Sequence, residues 1–303
     1  MKLTDAILDD AIERLQNGEE FTVNLAPITQ LVWSASRAHH KSPDINTGTH
    51  QWITSNAFRI LRNEQQEAWK WFYPNDQITV IKYSDWPDYS GSGERYPFIK
   101  IGNHKIWLNN WHYYHVETGT NFMREPKNFN AVTRFEYWYN QSLAQYRAGH
   151  REEALCDLGK AIHYLADLGS PPHTGDRIPA EWNFDHPPRE SVIELLAQAR
   201  DHVRYELFAN QVKNLAVAEG GGHFDWTTSE LQQIGKEAAQ YSHKYYSTTR
   251  MPPLFRLASL EGALAIPQYA EAIINPLMAA QRNVAGILYK FYRDVTALAP
   301  NIK

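Results

Sequence analysis

The stretch AIHYLADLGSPPHTGD, residues 161–176, decides the fold because it joins the end of a long helix to polar side chains that must face the interior. The predicted helix, Glu152–Gly169, stops ahead of Pro171, since proline lacks the N–H that a helix interior requires and disfavours helical geometry in the residue before it. Four apolar residues recur along this helix at spacings of three and four, the pattern of one buried face. They are Leu155, Leu158, Ile162 and Leu165.

Three side chains that can bind a metal follow one another in this stretch. His163 and Asp167 are four residues apart, so they share a helix face beside the apolar stripe, turned toward the interior of a bundle. Burying an imidazole and a carboxylate is unfavourable unless each is hydrogen-bonded or binds a cation. His173 follows the proline pair directly. The alternative for His163 and Asp167 is a hydrogen bond within the core.

A second helix, predicted over Ser191–Asn214, repeats the arrangement. His202 and Glu206 continue its apolar stripe, and a His-x-x-x-Glu pair at inward positions is a recurring metal-binding arrangement of helical bundles. Taken alone, this pair can also be a helix-surface pair. Two pairs on separate inward faces, together with His173, favour a metal centre. The stripe ahead of the pair contains Val192, Leu195 and Ala199.

The remaining sequence predicts an all-α (mainly α) protein. Residues 74–126 lack helical periodicity and are rich in Gly, Pro and aromatic residues, which predicts a loop-rich insertion with a short β-hairpin around Gly102-Asn103. Ser191 and Glu194 have the spacing of a capping box, and Pro276 is expected in the first turn of the last helix. Seven helices favour one multi-helix bundle. The other five are predicted over Asp5–Gln16, Thr49–Phe72, 128–147, Ser229–Tyr246 and Pro276–Leu298.

The composition excludes several classes of protein. The 303 residues carry 30 Lys and Arg against 34 Asp and Glu, a net charge of −4, which disfavours binding of nucleic acid through bulk charge. A hydrophobic content of 43% is enough for a folded core. No run of about 18 apolar residues predicts a membrane-spanning helix. With one cysteine and 13 histidines, a bound metal must be held by nitrogen and oxygen ligands.

The string H-Y-x-x-D-x-x-x-P-x-H, from His163 to His173, resembles the signature of zinc-dependent bacterial phospholipases C, the phosphatidylcholine-hydrolysing and alpha-toxin group. Further segments are similar to that family in the same order, so the resemblance covers about residues 33–297. It implies the multi-helix fold of the phospholipase C and P1 nuclease type. The segments are VWSAS (32–36), TGTHQWI (47–53), WPDYS (86–90), HYYHVETGT (112–120), DHVRYELFANQ (201–211) and LMAAQRNVAGILYKFYRDV (277–295).

The resemblance also implies a set of zinc ligands, because members of that family hold three zinc ions in a cleft. One ion would be held by Asp88, His112, His163 and Asp167, with Asp167 bridging to another ion. A second would be held by His173, His202 and Glu206. The third would be held by His50, by Asp167 and by the amino group and carbonyl of Trp33.

Trp33 departs from the family because it is internal in this sequence, and an amide nitrogen cannot donate a lone pair to zinc. One interpretation is that residues 1–32 are a prosegment whose removal after Val32 completes the third site, which leaves residues 33–303 as the catalytic domain. The other is a permanent amino-terminal helix with an altered or absent third site and two zinc ions.

Further departures concern the loop after His173 and the headgroup. Residues 177–190 lengthen the gap before His202 and are a candidate lid. This insertion contains a second His-x-x-x-Glu pair, His186 and Glu190, but the prolines between them place it at a helix start, so His202 and Glu206 are preferred. Asp176 stands where the family usually has asparagine.

The headgroup preference stays open because two positions disagree. Ser36 stands where one well-known lipase of the group has a glutamate facing choline. Tyr89, the residue expected to bind substrate, is retained.

The resemblance implies a zinc-dependent phospholipase C, an enzyme that cleaves a phospholipid phosphodiester with a zinc-activated water and releases diacylglycerol and a phosphorylated headgroup. Asp88 is the candidate to orient or deprotonate that water, with plain zinc ligation as its alternative role. A single-strand-specific zinc nuclease of the same fold and a non-catalytic helical protein are the competing interpretations.

The expected partners are a phospholipid substrate and a membrane surface in peripheral contact, with no nucleic acid, and the expected state is a monomer. The resemblance implies a secreted or periplasmic protein. The first 32 residues lack the apolar segment of about 7–15 residues that a secretory signal contains, so a cytoplasmic location is also open. The candidates for membrane contact are Trp86, Tyr89, Trp107 and Trp111; core packing is the alternative, and is preferred for Trp107 and Trp111.

Overall fold

The computed structural model describes residues 9–10, 12–17, 48–89, 92, 98–101, 104–107, 110–125, 129–183, 188–250, 262 and 264–298. Residues 9–10 and 12–16 are helical, as predicted for this segment. The helices that follow are α1 Thr49–Glu64, α2 Gln66–Trp71, α3 Pro74–Tyr83, α4 Ala131–Arg147, α5 Arg151–Asp167, α6 Pro171–Gly175, α7 Arg189–Val212, α8 Leu231–His243, α9 Tyr246–Thr249 and α10 Pro267–Leu298. Short 3₁₀ turns lie at Trp86–Asp88, Asn110–His112, Lys213–Leu215 and Trp226–Thr228.

The mainly α fold predicted from the sequence is confirmed. Helices α4 and α5 form a hairpin that turns at Gly149, whose φ of 85° is a conformation that glycine adopts without strain. Helix α10 packs against both α1 and α5. Their facing side chains form one buried core, to which α5 contributes the predicted stripe of Leu155, Leu158, Ile162 and Leu165.

Helix α3 crosses α5 at Gly159. A Cβ atom there would lie 2.7 Å from the Cβ of Tyr83 and 2.7 Å from the carbonyl oxygen of Val80, so the two helices can approach this closely only because residue 159 is glycine. The contact holds the end of α3, and the turn that follows it, beside α5. Two segments with metal-binding side chains are thereby brought together.

Several predicted boundaries were wrong. Residues 74–83 are helical, because Pro74 starts α3 and the Asp76 carboxylate accepts a hydrogen bond from the backbone N–H of Tyr73 at 2.9 Å. The predicted helix Thr49–Phe72 is interrupted at Gln65, whose φ of −138° is not helical. Helix α7 starts at Arg189 after Pro188, so Ser191 lies inside the first turn and does not cap it.

The last helix begins earlier than predicted, at Pro267, and Pro276 lies inside it. Tyr269 and Ile273, which precede this proline, are buried in the core, and their packing extends the helix across it. The β-hairpin is confirmed, since β1 Phe98–Ile101 pairs antiparallel with β2 His104–Trp107. None of the described helices is long and apolar enough to cross a bilayer.

Candidate metal centre

Six segments bring eight of the predicted ligands to one buried place. His50 lies in the first turn of α1, Asp88 and His112 end two 3₁₀ turns, and the other five lie on α5, α6 and α7. Each of the eight side chains belongs to a residue that is at most 6% exposed. They are His50, Asp88, His112, His163, Asp167, His173, His202 and Glu206.

Asp167 is the centre of the first group, which consists of His50, Asp88, His112, His163 and Asp167. Its Oδ2 lies 2.8 Å from His112 Nδ1 and 3.2 Å from His163 Nε2, and its Oδ1 lies 3.3 Å from His50 Nε2. The nitrogens of His112 and His163 are 3.0 Å apart. Asp88 Oδ1 stands slightly farther out, 3.6 Å from His163 Nε2 and 3.7 Å from His112 Nδ1.

The second group consists of His173, His202 and Glu206. Glu206 Oε1 lies 2.9 Å from His202 Nε2 and 3.4 Å from His173 Nε2. The pair on α7 is therefore buried, which excludes the helix-surface alternative. The two groups adjoin each other, since His173 Nδ1 lies 3.8 Å from Asp167 Oδ1.

An acceptor behind each of three imidazoles orients the ring. The Nδ1 of His163 is 2.9 Å from the carbonyl oxygen of Ser84, and that of His173 is 2.9 Å from the carbonyl oxygen of His112. The Nδ1 of His202 is 3.0 Å from Asp176 Oδ2. Because these oxygens can only accept, the neutral form of each ring carries its proton on Nδ1 and has its lone pair on Nε2, which faces the centre.

Burial and neighbouring charges act against each other in the first group. Desolvation lowers the pKa of both His50 and His112 to about 4. Burial also opposes charge on His163, but the carboxylates of Asp167 and Asp88 outweigh it and raise its pKa to about 9. Despite burial, the pKa of Asp167 lies well below its usual value because His163 and the other imidazoles stabilise its ionised form.

The second group shows the same balance. Burial disfavours charge on His202, yet Glu206 and the hydrogen bond to Asp176 raise its pKa to about 10. The pKa of Glu206 is lowered, because His202 outweighs the burial that would raise it. Both groups therefore stabilise ionised carboxylates next to imidazoles in a place that excludes solvent, and a bound cation would take the place of the proton on His163 and on His202.

This donor set fits zinc. Ligand atoms bound tetrahedrally at about 2.0–2.1 Å stand about 3.3–3.4 Å apart, and the facing atoms of His112, His163 and Asp167 are 2.8–3.2 Å apart. All donors are nitrogen or oxygen, as the composition required. In the described part of the chain, three sets of buried side chains with donor atoms within 4.8 Å can hold a metal: His50, His163 and Asp167; Asp88, His112 and His163; and His173, His202 and Glu206.

The remaining predicted residues divide into two classes. Tyr89 is buried beside Asp88, and its hydroxyl donates to Asp85 Oδ2 at 3.3 Å. Trp111 packs on the core with the Arg134 guanidinium over its ring, and Trp86 is half-buried. Trp33, Ser36, His186 and the cleavage point after Val32 lie outside the described residues, as does the side chain of Trp107.

The sequence does not indicate the groups that orient the proposed ligands. The carbonyl oxygens of Ser84 and His112 carry no side-chain signal. Asp176 stands out only as a departure from a motif, and its second partner, Tyr246, lies on α9, far along the chain. The ring of Tyr113 stacks on His173 with centroids 4.8 Å apart, and its place next to His112 is the only signal in the sequence.

The family of the chain follows from a match to known sequences. Residues 49–247, well over half of the chain, match the family described as zinc dependent phospholipase C. The chain belongs to the zinc-dependent phospholipase C family. The matched segment includes the eight buried residues predicted as ligands.

Two curated relatives are both named Phospholipase C. The chain is 24% identical over 265 residues to the protein of Paraclostridium bifermentans and 21% identical over 272 residues to that of Clostridium novyi. Each alignment covers 82% of this chain and 60% of the relative. The chain thus spans about three fifths of the length of these relatives.

Solved structures agree on the fold. The alpha-toxin from Clostridium absonum superposes with a TM-score of 0.61 at 18% identity, and the Clostridium perfringens alpha-toxin from avian strain SWCP with 0.59 at 17%. Each comparison covers 84% of this chain and 66% of the toxin chain. At this low identity the likeness shows the fold of this chain and nothing more.

Proposed function

We propose that this chain hydrolyses the phosphodiester bond of a phospholipid and releases diacylglycerol and a phosphorylated headgroup. The observation that carries the proposal is the meeting of nitrogen and carboxylate donors around Asp167, with distances of 2.8 to 3.3 Å, in a member of this family. A non-catalytic helical protein would not need imidazoles and carboxylates gathered in a buried cluster, where each is costly to desolvate.

The proposed zinc ligands are those implied by the resemblance. Asp88, His112, His163 and Asp167 would hold one ion, and His173, His202 and Glu206 a second. His50 and Asp167 would hold a third together with Trp33, provided that Trp33 is an amino terminus; otherwise the chain holds two. The 3.3 Å approach of His50 Nε2 to Asp167 Oδ1 supports the third position.

When bound, zinc ions offset the charge of a phosphodiester and lower the pKa of nearby water, so that hydrolysis proceeds near neutral pH. Asp88 is proposed to orient or deprotonate the attacking water, because its carboxylate stands at the rim of the first group, 3.6 Å from His163 Nε2 and 3.8 Å from His50 Nε2. Attack on phosphorus breaks the bond to the glycerol oxygen.

Tyr89 is proposed to contact the substrate next to Asp88. Its hydroxyl is bonded to Asp85, so contact with a headgroup requires that the hydroxyl exchange this partner.

The proposed setting is a membrane surface outside the cytoplasm, reached by a monomer. The family relationship and the likeness to alpha-toxins support the extracellular setting, and the monomeric state is tested by the mass of the purified protein in solution. Residues 1–32 are proposed to be a prosegment and residues 33–303 the catalytic domain. Amino-terminal sequencing of the active protein tests this boundary, and an active chain that still begins at Met1 would refute it.

A parallel assay tests the activity. Purified protein is given a short-chain lecithin and, separately, single-stranded DNA, and the release of diacylglycerol and of nucleotides is measured. We expect hydrolysis of the lipid alone, abolished by a chelator and restored by zinc. Hydrolysis of DNA without hydrolysis of lipid would contradict the proposal and favour a nuclease.

One histidine on α5 and one that directly precedes this helix provide a matched pair of variants. His163→Ala removes a proposed ligand and is expected to abolish hydrolysis. His150→Ala changes an exposed histidine that precedes the same helix, about 20 Å away at 1.5 Å per residue. Activity in His163→Ala equal to that of His150→Ala would contradict the assignment.

A further inference from the structure

The carboxylate of Asp176 connects the second group to a neighbouring helix. Its Oδ2 lies 3.0 Å from His202 Nδ1, and its Oδ1 accepts a hydrogen bond from the hydroxyl of Tyr246 at 2.9 Å. The residue is 3% exposed. Both carboxylate oxygens therefore accept hydrogen bonds, one from the imidazole of His202 and the other from Tyr246 on α9.

The backbone around Asp176 is built for this contact. Its N–H donates to the carbonyl oxygen of Pro172 at 2.9 Å, so the end of α6 holds both His173 and Asp176. A Cβ on Gly175 would lie 2.4 Å from the ring of Tyr246. Glycine at 175 thus leaves the space in which the Tyr246 ring reaches the carboxylate.

The charge of Asp176 is only partly balanced. The arginine paired with it, Arg250, lies outside hydrogen-bond distance: its Nη1 is 3.9 Å from Asp176 Oδ1 and 4.0 Å from Asp201 Oδ2, while Asp201 has Arg200 Nε as a closer partner at 3.0 Å. A negative charge behind an imidazole increases the electron density on its other nitrogen and strengthens its bond to a metal. An asparagine at this position would accept the same hydrogen bond without that charge.

We propose that Asp176 is a positioning residue that raises the zinc affinity of the second group through His202, and that Tyr246 holds Asp176 in place for this role. The inference rests on the proposed function, since it assumes that His173, His202 and Glu206 bind zinc. It concerns Asp176 and Tyr246, neither of which is among the proposed ligands.

The test measures zinc affinity rather than activity. Wild type, Asp176→Asn, Tyr246→Phe and His202→Ala are titrated against a chelator of known zinc affinity, and native mass spectrometry counts the ions retained. We expect Asp176→Asn to lower the affinity for one zinc ion about 10- to 100-fold, while the affinity for the remaining zinc is unchanged. Tyr246→Phe is expected to lower the affinity for the same ion by a smaller factor.

A double variant separates positioning from a general loss of structure. If Tyr246 acts through Asp176, adding Tyr246→Phe to Asp176→Ala changes zinc affinity no further. Asp157→Asn, a buried carboxylate on α5 that pairs with Lys160, is the matched control and should retain all zinc. Circular dichroism identifies a variant that fails to fold, and Tyr246→Phe then carries the test.

The outcomes distinguish the two proposals. Wild-type affinity in both Asp176→Asn and Tyr246→Phe, with loss of one ion in His202→Ala, overturns the role of Asp176 and leaves the proposed function intact. A wild-type protein that binds no zinc overturns both.

Discussion

The imidazole of His50 is stacked on that of His163, with ring centroids 4.0 Å apart and planes inclined by 28°. The two residues are far apart in sequence, since His50 lies in the first turn of α1 and His163 in the last turns of α5. Each presents its Nε2 to the carboxylate of Asp167. The stack therefore lies against both oxygens of Asp167, since Oδ1 faces His50 and Oδ2 faces His163.

The two oxygens of Asp167 predict unequal losses of zinc. In the proposed arrangement Asp167→Ala removes a donor from two ions, whereas His50→Ala removes a donor from one. We expect Asp167→Ala to retain fewer zinc ions per chain than His50→Ala, as counted by native mass spectrometry after mild purification. His150→Ala should retain the full number. Equal zinc content in the first two variants would show that the shared position of Asp167 has no consequence for binding.

The close crossing at Gly159 predicts a defect without any change of ligand. In Gly159→Ala the new methyl group would meet the Cβ of Tyr83 and the backbone of Val80 at 2.7 Å, so α3 must move away from α5. Strain of this kind costs about 1–3 kcal/mol. Urea unfolding should show this loss, and zinc should bind less tightly because the Ser84 carbonyl that orients His163 moves with α3.

Gly235 on α8 provides the control. A methyl group there would meet only side-chain atoms of Leu168 and Val132 at 3.3 Å, which can shift by a few tenths of an ångström. Gly235→Ala should therefore be less destabilising and leave zinc affinity unchanged. A neutral Gly159→Ala would show that the helices tolerate a wider separation.

The helices that carry the proposed ligands could be predicted because their sequences carry two signals at once. The stripe around Leu158 and Ile162 marks the buried side of α5, and His163 and Asp167 lie beside it at helical spacing. For Asp88, His112 and His50 the periodicity is silent, and only the family resemblance indicated them. Their approach to α5 depends on contacts between distant segments, which spacing along the chain does not encode.

What could not be predicted depends on backbone groups and on long-range packing. The orienting oxygens of Ser84 and His112 are carbonyls, which every residue has. Helix α3 was missed because its ten residues are too few for a clear apolar stripe, although Pro74 and Asp76 carried a start signal. The early start of α10 at Pro267 was missed because Pro276 imitates a first turn.

The buried histidine His115 predicts a pH dependence away from the proposed ligands. Burial lowers its pKa to about 4, with Arg177 adding to the shift, whereas a histidine in an unfolded chain titrates near about 6.5. The folded state thus disfavours the proton, so this contribution to stability is complete above about pH 6.5 and is lost as the pH falls toward 4.

His115→Gln removes that titration while retaining a group that can bond to Thr118. Between about pH 6.5 and pH 4.5, we expect the free energy of unfolding to fall less in the variant than in the wild type. Urea unfolding of both proteins at several pH values in this window checks it. Other titrating groups are common to both proteins and cancel in the difference. Parallel curves would mean that His115 accepts a proton equally well in both states.

The proposed boundary after Val32 predicts that removing residues 1–32 increases the zinc content. The described residues of this segment include Asp9, whose carboxylate lies 3.0 Å from Arg200 Nη1 and 2.9 Å from Arg204 Nη2, and Ile12, which is buried. Losing the half-exposed Asp9 should cost no more than about 1 kcal/mol, and losing the buried Ile12 side chain roughly 1.5–3 kcal/mol. A chain that begins at Trp33 gains a free amino group, and circular dichroism verifies that it stays folded.

Proteolytic release of Trp33 as the first residue, followed by native mass spectrometry, counts the zinc ions. We expect one more ion than in the full chain, because the amino group can donate a lone pair that the amide cannot. A chain beginning at Ser34 is the control and should keep the lower count, since it lacks Trp33. The same count in all three chains would favour a permanent amino-terminal helix and a two-zinc site.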